Sequence, residues 1–412
     1  MRKIVFIYIS IIFIAAGALR ASENTNFNAE KIIVAAERDD LYLPLLRNKR
    51  VGLLVNPTSM VGSQHIVDFL LSKKINIKMI FAPEHGFRGD KGAGEMVLGG
   101  RDKKTNVPIV SLHGKIKKPN KSHMQQLDIL VFDIQDVGVR YYTYISSMHY
   151  LMEACAENNV PLIVLDRPNP NGDYIDGPIL QPQLKSFVGM HPIPIVHGLT
   201  VGELAKMING QGWLSGGIKC DLTVIKVKNY THDSTYSLPI KPSSNLPNDL
   251  SISLYPSLAF FEATPVSVGR GTPWPFQVLG YPNKMMGEFS FIPKSITGSW
   301  SQLNHAGKRL YGQKITSDRR SKKTENTWQN QGIDLSYILA WKKHFDEEGM
   351  KLITRPSFMD KLSGTIEFKM QVLANMSARK IKLSWQRDLR TFQIMRRKYL
   401  LYKDSSYMTR FE

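Results

Sequence analysis

Short apolar runs, each followed by polar residues, recur through the first half of the chain and constrain its fold more than any other feature. The runs are Val51–Val55, Ile77–Phe81, Ile109–Ser111, Ile129–Phe132 and Leu162–Leu165, with helices expected at 65–71 and 144–158. Continuous apolar strands that alternate with helices are typical of a parallel sheet buried on both faces. The pattern therefore predicts an α/β fold built on a mostly parallel sheet.

Polar side chains follow the strands at the point where each one ends. They are Asn56, Glu84, His85, His113, Asp133, Asp136, Asp166, Arg167 and Asn169. Ligands of open parallel sheets bind outside the carboxyl ends of the strands. We therefore expect the active site along this edge of the sheet.

The strand ends carry no phosphate-binding sequence. No Gly-x-Gly-x-x-Gly follows the first strand, and no Walker A sequence occurs in the chain. Both motifs work by presenting backbone N–H groups to phosphate oxygens. Dinucleotide and nucleoside-triphosphate binding are therefore disfavoured, and we expect no cofactor.

The length of 412 residues is typical of two domains, and an apolar content of 42% is sufficient for extensive cores. A loop rich in proline, serine and asparagine at 239–249 is expected to close the first domain. We therefore expect one domain over residues 45–255 and a smaller α+β domain over residues 256–412.

The first residues have the pattern of a secretory signal. Arg2 and Lys3 precede an uncharged apolar run, and small residues follow around Ala16–Ala21. A membrane span requires about 20 apolar residues, and this run is shorter. We expect a signal peptide over residues 1–21, no membrane span, and an exported protein that is periplasmic or secreted after cleavage.

The formal net charge is +19, and most of it lies in the last third of the chain. A basic exported protein can bind nucleic acid, anionic lipid or an acidic wall polymer, although a solvated basic surface is the simpler interpretation. No zinc-finger, RNP or helix-turn-helix motif is present. We therefore expect no nucleic-acid partner.

The two cysteines, Cys155 and Cys220, are too few for a disulfide framework or a cysteine-rich metal site. Cys155 lies among apolar neighbours on a predicted helix. We expect it to be a buried free thiol.

The segment Phe81–Gly89 places an acid, a base and a guanidinium directly after a strand. Glu84, His85 and Arg88 fall within five residues that are interrupted by glycine. Such a loop is more typical of a functional site than of a core. The alternative is a surface loop in which Glu84 pairs with Arg88.

Two kinds of chemistry fit these side chains. Hydrolysis of a glycosidic bond needs a protonated carboxylic acid near the leaving oxygen, usually with a second carboxylate. Arginines and aromatic rings would then hold the substrate, and the candidates are Arg88, Arg140, Arg167, Arg270, Tyr141, Tyr142, Tyr144 and Trp274. Alternatively, a divalent metal would be held by His85, His113, Asp133, Asp136 and Asp166. No closely spaced metal-ligand motif supports that alternative, and we assign no metal.

Several long motifs are similar to those of the NamZ family, which was long catalogued as a domain of unknown function. They are Pro83–Gly89, Gly92–Glu95, Asp133–Gly138 with Arg140–Tyr144, Asp166–Pro170, His197–Thr200 and Ser267–Thr272. The resemblance extends in the same order from about residue 45 to residue 402. The chain is therefore identified as resembling exported exo-β-N-acetylmuramidases.

This resemblance implies a Rossmann-like, doubly wound first domain, a smaller second domain and a cleft between them. The implied reaction releases N-acetylmuramic acid from the non-reducing ends of peptidoglycan fragments. The expected partners are thus peptidoglycan-derived muropeptides or disaccharides. Glu84, in its Pro-Glu-His-Gly motif, becomes the candidate catalytic acid.

Asp133 and Asp136 flank Gln135 at a strand end. We expect one of the two to cap the following helix and the other to serve as the second carboxylate. The expected substrate-binding residues are Asn56, His85, Arg88, Glu95, Arg140, Tyr142, Tyr144, Asp166, Arg167, Asn169, His197, Asn245, Glu262 and Arg270. Glu203 is assigned to a capping box with Thr200 instead.

Three segments depart from the family pattern. Ser244 stands where a proline is expected, Ala263 and Pro265 where a glycine and an asparagine are expected, and His113 where a tyrosine is expected. The change at 262–265 removes a side-chain amide near the cleft. It favours a competing hypothesis, a non-catalytic wall-binding protein that uses the same cleft and the basic second domain.

Overall fold

A seven-stranded sheet lies at the centre of the computed structural model, which describes residues 30–84, 86–88, 99–294, 303–317 and 332–404. The strands are β1 (Val51–Val55), β2 (Met60–Val61), β3 (Gln64–His65), β4 (Ile77–Ala82), β5 (Gly100–Arg101), β6 (Pro108–Ser111), β7 (Ile129–Asp133), β8 (Leu162–Leu165), β9 (Leu222–Ile225), β10 (Val278–Tyr281), β11 (Phe289–Phe291) and β12 (Leu310–Lys314). The α-helices are α1 (Asp39–Leu46), α2 (Ile66–Ser72), α3 (Lys121–Met124), α4 (Tyr144–Asn158), α5 (Val201–Gln211), α6 (Asp249–Leu258), α7 (Ser336–Glu347), α8 (Pro356–Ser363), α9 (Ile366–Leu373) and α10 (Ala378–Arg396).

The strand order of the central sheet is β5-β6-β4-β1-β7-β8-β9. Every neighbouring pair is parallel except β5 and β6, which pair antiparallel at one edge. Leaving β5 aside, the chain starts at β1, builds outward on one side and then returns to build on the other. This is the order of a Rossmann-type doubly wound sheet, so the predicted fold class is confirmed.

Two apolar layers cover the opposite faces of this sheet. Leu53 and Val131 belong to one layer, and their chain neighbours Leu54 and Phe132 belong to the other. The alternation follows from the geometry of a strand, in which successive side chains point to opposite faces. Helices α1 and α2 pack on the first layer, while α3, α4 and α5 pack on the second.

The second half of the chain contains a three-stranded antiparallel sheet, β10-β12-β11, together with helices α6 to α10. Its core continues one layer of the first half, because Phe260 and Phe368 belong to the same apolar cluster as Phe132. The rings of Phe260 and Phe368 lie 4.6 Å apart. The residues from Ile32 onward form one compact unit, and the division near residue 255 stays a prediction.

The ends of two helices test the sequence predictions about capping. At α5, the Thr200 hydroxyl accepts a hydrogen bond from the Glu203 N–H, and the Glu203 carboxylate accepts one from the Thr200 N–H at 2.9 Å. The predicted capping box is confirmed. At α4, the N-cap is Thr143, which makes no side-chain cap bond. The prediction that Asp133 or Asp136 caps this helix is wrong, because the helix begins well beyond both residues.

Two further predictions concern the membrane and the cysteines. The predicted signal peptide lies outside the described residues. Among the residues that are described, no helix is long and apolar enough to cross a membrane. Cys155 and Cys220 are both buried and free, which confirms the free thiol predicted for Cys155.

Arg140 joins the two halves of the chain through backbone carbonyls. Its side chain is fully buried. Nη1 donates to the carbonyls of Pro178 at 2.8 Å and Ile193 at 2.6 Å, and Nη2 donates to those of Leu362 at 3.1 Å and Ser363 at 2.7 Å. Burial lowers the pKa of Arg140 to about 9, so the group is still charged at neutral pH. The carbonyl dipoles therefore stabilise a buried cation at the junction of α8 with the first half.

Replacing Arg140 with methionine is expected to lower the free energy of unfolding by about 3–5 kcal/mol, because four buried carbonyls would lose their donors. Urea unfolding measures this change. The matched control is Arg50→Met, which removes an exposed ion pair with Asp128 and should leave the midpoint almost unchanged. Equal midpoints for the two variants would contradict the role given to Arg140.

Candidate active site

A pocket with about 620 Å³ of open space lies between the loop after β4, the start of α4 and the second half of the chain. Its lining residues are Glu84, Tyr141, Tyr142, Thr143, Tyr144, Ser243, Asn245, Leu246, Tyr255, Glu262, Arg270 and Phe276. A pocket in which polar and aromatic side chains converge is typical of small-molecule sites. Six of the predicted site residues meet here, namely Glu84, Tyr142, Tyr144, Asn245, Glu262 and Arg270.

Glu84 reaches the pocket from a tight turn at the end of β4. The Gly86 N–H donates to the Pro83 carbonyl at 3.1 Å, and Gly86 has a φ of 72°, a conformation that glycine adopts without strain. The Tyr144 hydroxyl donates to the backbone carbonyl of Glu84 at 3.3 Å. The backbone of Glu84 is thus fixed while its half-buried side chain faces the pocket.

Aromatic rings form one wall of the pocket. The Tyr141 hydroxyl donates to the Pro256 carbonyl at 2.8 Å, and the Tyr142 hydroxyl donates to the Pro242 carbonyl at 2.8 Å. The Tyr255 ring packs edge-on against Tyr141 at 5.3 Å between ring centroids. Rings whose hydroxyls are already bound present their apolar faces, which suits contact with the C–H face of a sugar.

Glu262 and Arg270 form an ion pair that also lines the pocket. Glu262 belongs to a short 3-10 helix, Ala259–Ala263, whose other residues are buried. The guanidinium of Arg270 lies 5.3 Å from the ring centre of Phe276. The side chains of Glu262 and Arg270 are 22% and 30% exposed, so both groups remain accessible from the pocket.

A second cation faces Glu84 from the loop that precedes α3. Burial lowers the pKa of Lys117, and the charge of Glu84 acts in the opposite direction. The Lys117 ammonium lies 3.5 Å from the ring centre of Phe187. The sequence analysis did not predict Lys117, Tyr255 or Phe276 as site residues, because none of them directly follows a strand of the parallel sheet.

The two carboxyl groups at the end of β7 do not line this pocket. Asp133 is fully buried and pairs with Arg167, whose Nε and Nη2 donate to it at 2.6 Å and 2.9 Å. Its backbone carbonyl accepts a hydrogen bond from Ser59. Asp133 and Arg167 therefore use their charged groups on each other and do not line the pocket.

Asp136 is buried behind the tyrosine wall. Its Oδ2 accepts a hydrogen bond from the Gly138 N–H at 2.7 Å and lies 3.8 Å from His197 Nε2. Burial raises the pKa of Asp136 to about 7 and lowers that of His197 to about 3. The His197 Nδ1 accepts from the Leu199 N–H at 3.2 Å, so Nε2 carries the hydrogen of the neutral ring and faces Asp136.

Asp166 is held in place by hydrogen bonds from the start of α5 and from the C-terminal segment. Its carboxylate accepts from the Thr200 hydroxyl at 2.7 Å, the Gly202 N–H at 2.8 Å and the Tyr402 hydroxyl at 2.6 Å. Burial raises its pKa to about 6. Asp166 thereby anchors the C-terminal segment and does not line the pocket.

Two predicted amides are also engaged internally. Asn56 Oδ1 accepts from the Thr58 N–H at 2.9 Å, and Asn169 Nδ2 donates to the Leu199 carbonyl at 2.8 Å. Both amides are buried. Like Arg140, they hold loops together and lie outside the lining of the pocket.

Arg88 lies on the outer side of the Glu84 loop. It donates to Asp102 at 2.7 Å and 2.9 Å and to Asp68 at 3.0 Å and 3.1 Å. The alternative prediction, in which Arg88 pairs with Glu84, is therefore wrong, because Arg88 pairs with Asp68 and Asp102. The predicted residues His85 and Glu95 lie outside the described residues.

Trp274 and the metal-ligand candidates that the structure describes, His113, Asp133, Asp136 and Asp166, do not line the pocket. Trp274 packs edge-on against Phe289 at 5.9 Å, under the ammonium of Lys314. Across the described ranges, no group of three or more His, Cys, Asp or Glu side chains is arranged to hold a metal ion.

Comparison with known proteins identifies two adjoining matches. A family model described as the N-terminal part of the exo-β-N-acetylmuramidase NamZ matches residues 51–250, and the model of its C-terminal part matches residues 253–402. The peptidoglycan β-N-acetylmuramidase NamZ of Bacillus subtilis (strain 168) is 38% identical over 427 residues, which cover 98% of this chain and 100% of that protein.

Two crystal structures of DUF1343 family proteins from Bacteroides fragilis NCTC 9343 have the same fold. One is 45% identical with a TM-score of 0.81, over 91% of this chain and 100% of that chain. The other is 28% identical with a TM-score of 0.76, over 90% of this chain and 99% of that chain.

Replacing Asp136 with asparagine is expected to change how stability depends on pH. The pKa of Asp136 is raised to about 7 in the folded protein, above its value of about 4 in an unfolded chain. Its contribution to stability is therefore complete below about pH 4 and is lost as the pH rises through 7, a loss of about 4 kcal/mol.

Urea unfolding at pH 5 and pH 8 measures this effect as the difference between wild type and Asp136→Asn. The variant should gain stability relative to wild type at pH 8. Asp102→Asn serves as the control: burial opposes the shift, but hydrogen bonds from Arg88 and Thr105 lower the pKa of Asp102 to about 2. That substitution should not alter the change between pH 5 and pH 8. Parallel pH profiles for wild type and Asp136→Asn would show that Asp136 is ionised normally.

Proposed function

The chain belongs to the NamZ family, and we propose from this premise that it is an exported exo-β-N-acetylmuramidase. Membership of this family makes it a glycoside hydrolase. The proposed reaction releases N-acetylmuramic acid from the non-reducing ends of peptidoglycan fragments, either muropeptides or disaccharides. The relative from Bacillus subtilis is named as a peptidoglycan β-N-acetylmuramidase.

One observation carries the proposal. Glu84 projects from a fixed turn into a pocket that is also lined by the tyrosine rings and by the Glu262–Arg270 pair. A carboxyl group, an apolar platform and an arginine are what hydrolysis of an anionic sugar glycoside requires. Among the described residues, Glu84 and Glu262 are the carboxyl groups that line this pocket.

In the proposed mechanism, Glu84 acts as the general acid. Its proton passes to the glycosidic oxygen as the bond from that oxygen to C1 of the sugar breaks. Water supplies the new hydroxyl group at C1, and the proton that the water gives up restores the acid form of Glu84. The tyrosine wall holds the ring, and Tyr144 keeps the backbone of Glu84 in place. Asp133 and Asp136 do not contact the sugar in this mechanism. They hold the neighbouring loops through Arg167 and the Gly138 N–H.

Arg270 is the arginine that we assign to the lactyl group of N-acetylmuramic acid, which ends in a free carboxylate where no peptide is attached. Arg88 already donates to two carboxylates, and Arg167 is paired with Asp133, whereas Arg270 is partly exposed in the pocket. A guanidinium binds a carboxylate through parallel N–H donors. The free donors of Arg270 can therefore bind the substrate while Glu262 remains paired.

The location outside the cytoplasm is supported by the sequence alone. A basic start, a short apolar run and small residues stand at the beginning of the sequence. The substrate, a wall fragment, is available to an exported enzyme.

Glu84→Gln is expected to lower kcat on a chromogenic N-acetylmuramic acid β-glycoside by about 100-fold or more, because the amide cannot donate the required proton. EDTA should leave the rate of the wild type unchanged. Glu157→Gln, which alters a partly exposed residue paired with Lys118, is the matched control and should keep full activity. Full turnover by a folded Glu84→Gln protein would exclude Glu84 as the acid, and a rate lost only with EDTA would indicate a metal-dependent enzyme.

Arg270→Gln and Arg88→Gln separate the two arginines. Arg270→Gln should lower kcat/KM on the N-acetylmuramic acid glycoside by about 10- to 100-fold, since a charge-assisted bond to the lactyl group is lost. It should have a much smaller effect on the N-acetylglucosamine glycoside, which has no lactyl group. Arg88→Gln should leave the ratio of the two rates unchanged. A change in that ratio with Arg88→Gln alone would assign the lactyl group to Arg88.

A further inference from the structure

The Glu262–Arg270 pair presents an acceptor and a donor side by side in the wall of the pocket. The two side chains contact each other directly, and both line the pocket. The guanidinium offers N–H donors and no acceptor, while the carboxylate offers acceptors and no donor. The pair therefore matches a ligand that carries an acceptor and a donor on neighbouring atoms.

Several contacts hold this pair rigidly. The backbone carbonyl of Glu262 accepts a hydrogen bond from Arg355 Nη1 at 3.2 Å. The flanking residues Phe261 and Ala263 are fully buried, and Arg270 rests against the Phe276 ring. A fixed donor–acceptor pair recognises a ligand with little loss of side-chain entropy.

N-acetylmuramic acid carries the complementary pattern on two adjacent ring carbons. The lactyl group at C3 ends in a carboxylate, which only accepts hydrogen bonds. The neighbouring C4 carries a hydroxyl, which can donate one. That hydroxyl is free only in the residue at the non-reducing end, because in an internal residue O4 belongs to the next glycosidic bond.

We propose that Glu262 binds the free 4-hydroxyl of the terminal N-acetylmuramic acid while Arg270 binds its lactyl carboxylate, so that this ion pair selects the end of the chain. The proposal rests on the proposed function, and it adds the residue that makes the enzyme exo-acting. It places C3 and C4 of the sugar at the ion pair, and C1 with its leaving oxygen at Glu84.

An internal residue of the glycan would be rejected for two reasons. Its O4 has no hydrogen to donate, so the Glu262 carboxylate would lose solvent without gaining a partner, which is costly. The next sugar would also meet the wall that Glu262 and its buried neighbours form. Discrimination by an unpaired polar group is typically stronger than discrimination by a missing apolar contact.

A cycle of two enzymes and two substrates tests the proposal. The enzymes are wild type and Glu262→Met, which removes both acceptor oxygens at similar length. The substrates are the chromogenic N-acetylmuramic acid β-glycoside and its 4-deoxy analogue. Removing either the carboxylate or the 4-hydroxyl should lower kcat/KM by about 10- to 100-fold, chiefly through KM. Removing both should cost no more than removing one, because a single interaction is lost. A purely structural role for Glu262 would instead give losses that multiply.

Controls keep the outcomes distinct. If wild type fails to cleave the parent glycoside, the proposed function fails. If wild type cleaves the parent and 4-O-methyl glycosides equally well, the inference about Glu262 is overturned while the function stands, and this result needs no variant. Multiplying losses in the cycle would also overturn it and would give Glu262 a structural role. A fall in kcat with KM unchanged would overturn it in favour of Glu262 as a second catalytic carboxylate. Glu157→Gln should match wild type on every substrate.

Discussion

The buried guanidinium of Arg140 is the interaction on which the rest of the site depends. It bonds carbonyls from two loops of the first half and from the end of α8 in the second half. The residues directly after it, Tyr141 and Tyr142, form the wall of the pocket. One cation thus fixes the aromatic wall and ties the first half to α8. Arg140 stabilises the folded protein because it donates to four buried carbonyls, and buried polar groups without a partner cost free energy.

The polar residues at the strand ends divide into two groups with different tasks. One group is bonded internally and holds the loops around the site. Arg167 pairs with Asp133, and the Tyr402 hydroxyl donates to Asp166. Glu84 is different because its backbone is bonded and its side chain faces the pocket. The sheet therefore supplies one carboxyl group, the segment at the start of α4 supplies the tyrosine wall, and the second half of the chain adds Glu262 and Arg270.

Much of the fold could be predicted from the sequence because it depends on local patterns. The strands at 51–55 and 162–165 and the helix at 144–158 were predicted with the bounds that the structure shows, since each is a continuous apolar run or a clear helical period. Strands β5 and β9 were not predicted. β5 has two residues, and β9 alternates between exposed and covered positions at the sheet edge, so neither gives a strong apolar signal.

The candidate site was less predictable for a physical reason. The sequence shows that polar residues follow the strands, but it does not show which of them form hydrogen bonds or ion pairs within the protein. Arg88 is the clearest example, because its partners Asp68 and Asp102 come from other segments of the chain. Tyr255 and Phe276 join the pocket only through the packing of the second half. Arg270 was already one of four candidate arginines, whereas Glu262 was identified through the family resemblance, and local spacing gave no reason to pair them.

The most direct test is a crystal structure of the Glu84→Gln protein with the uncleaved N-acetylmuramic acid β-glycoside. We expect the sugar to lie against the tyrosine wall, with its glycosidic oxygen beside residue 84 and its lactyl carboxylate bound to Arg270. A sugar bound instead at the sheet edge, against Asp133 and Arg167, would contradict it.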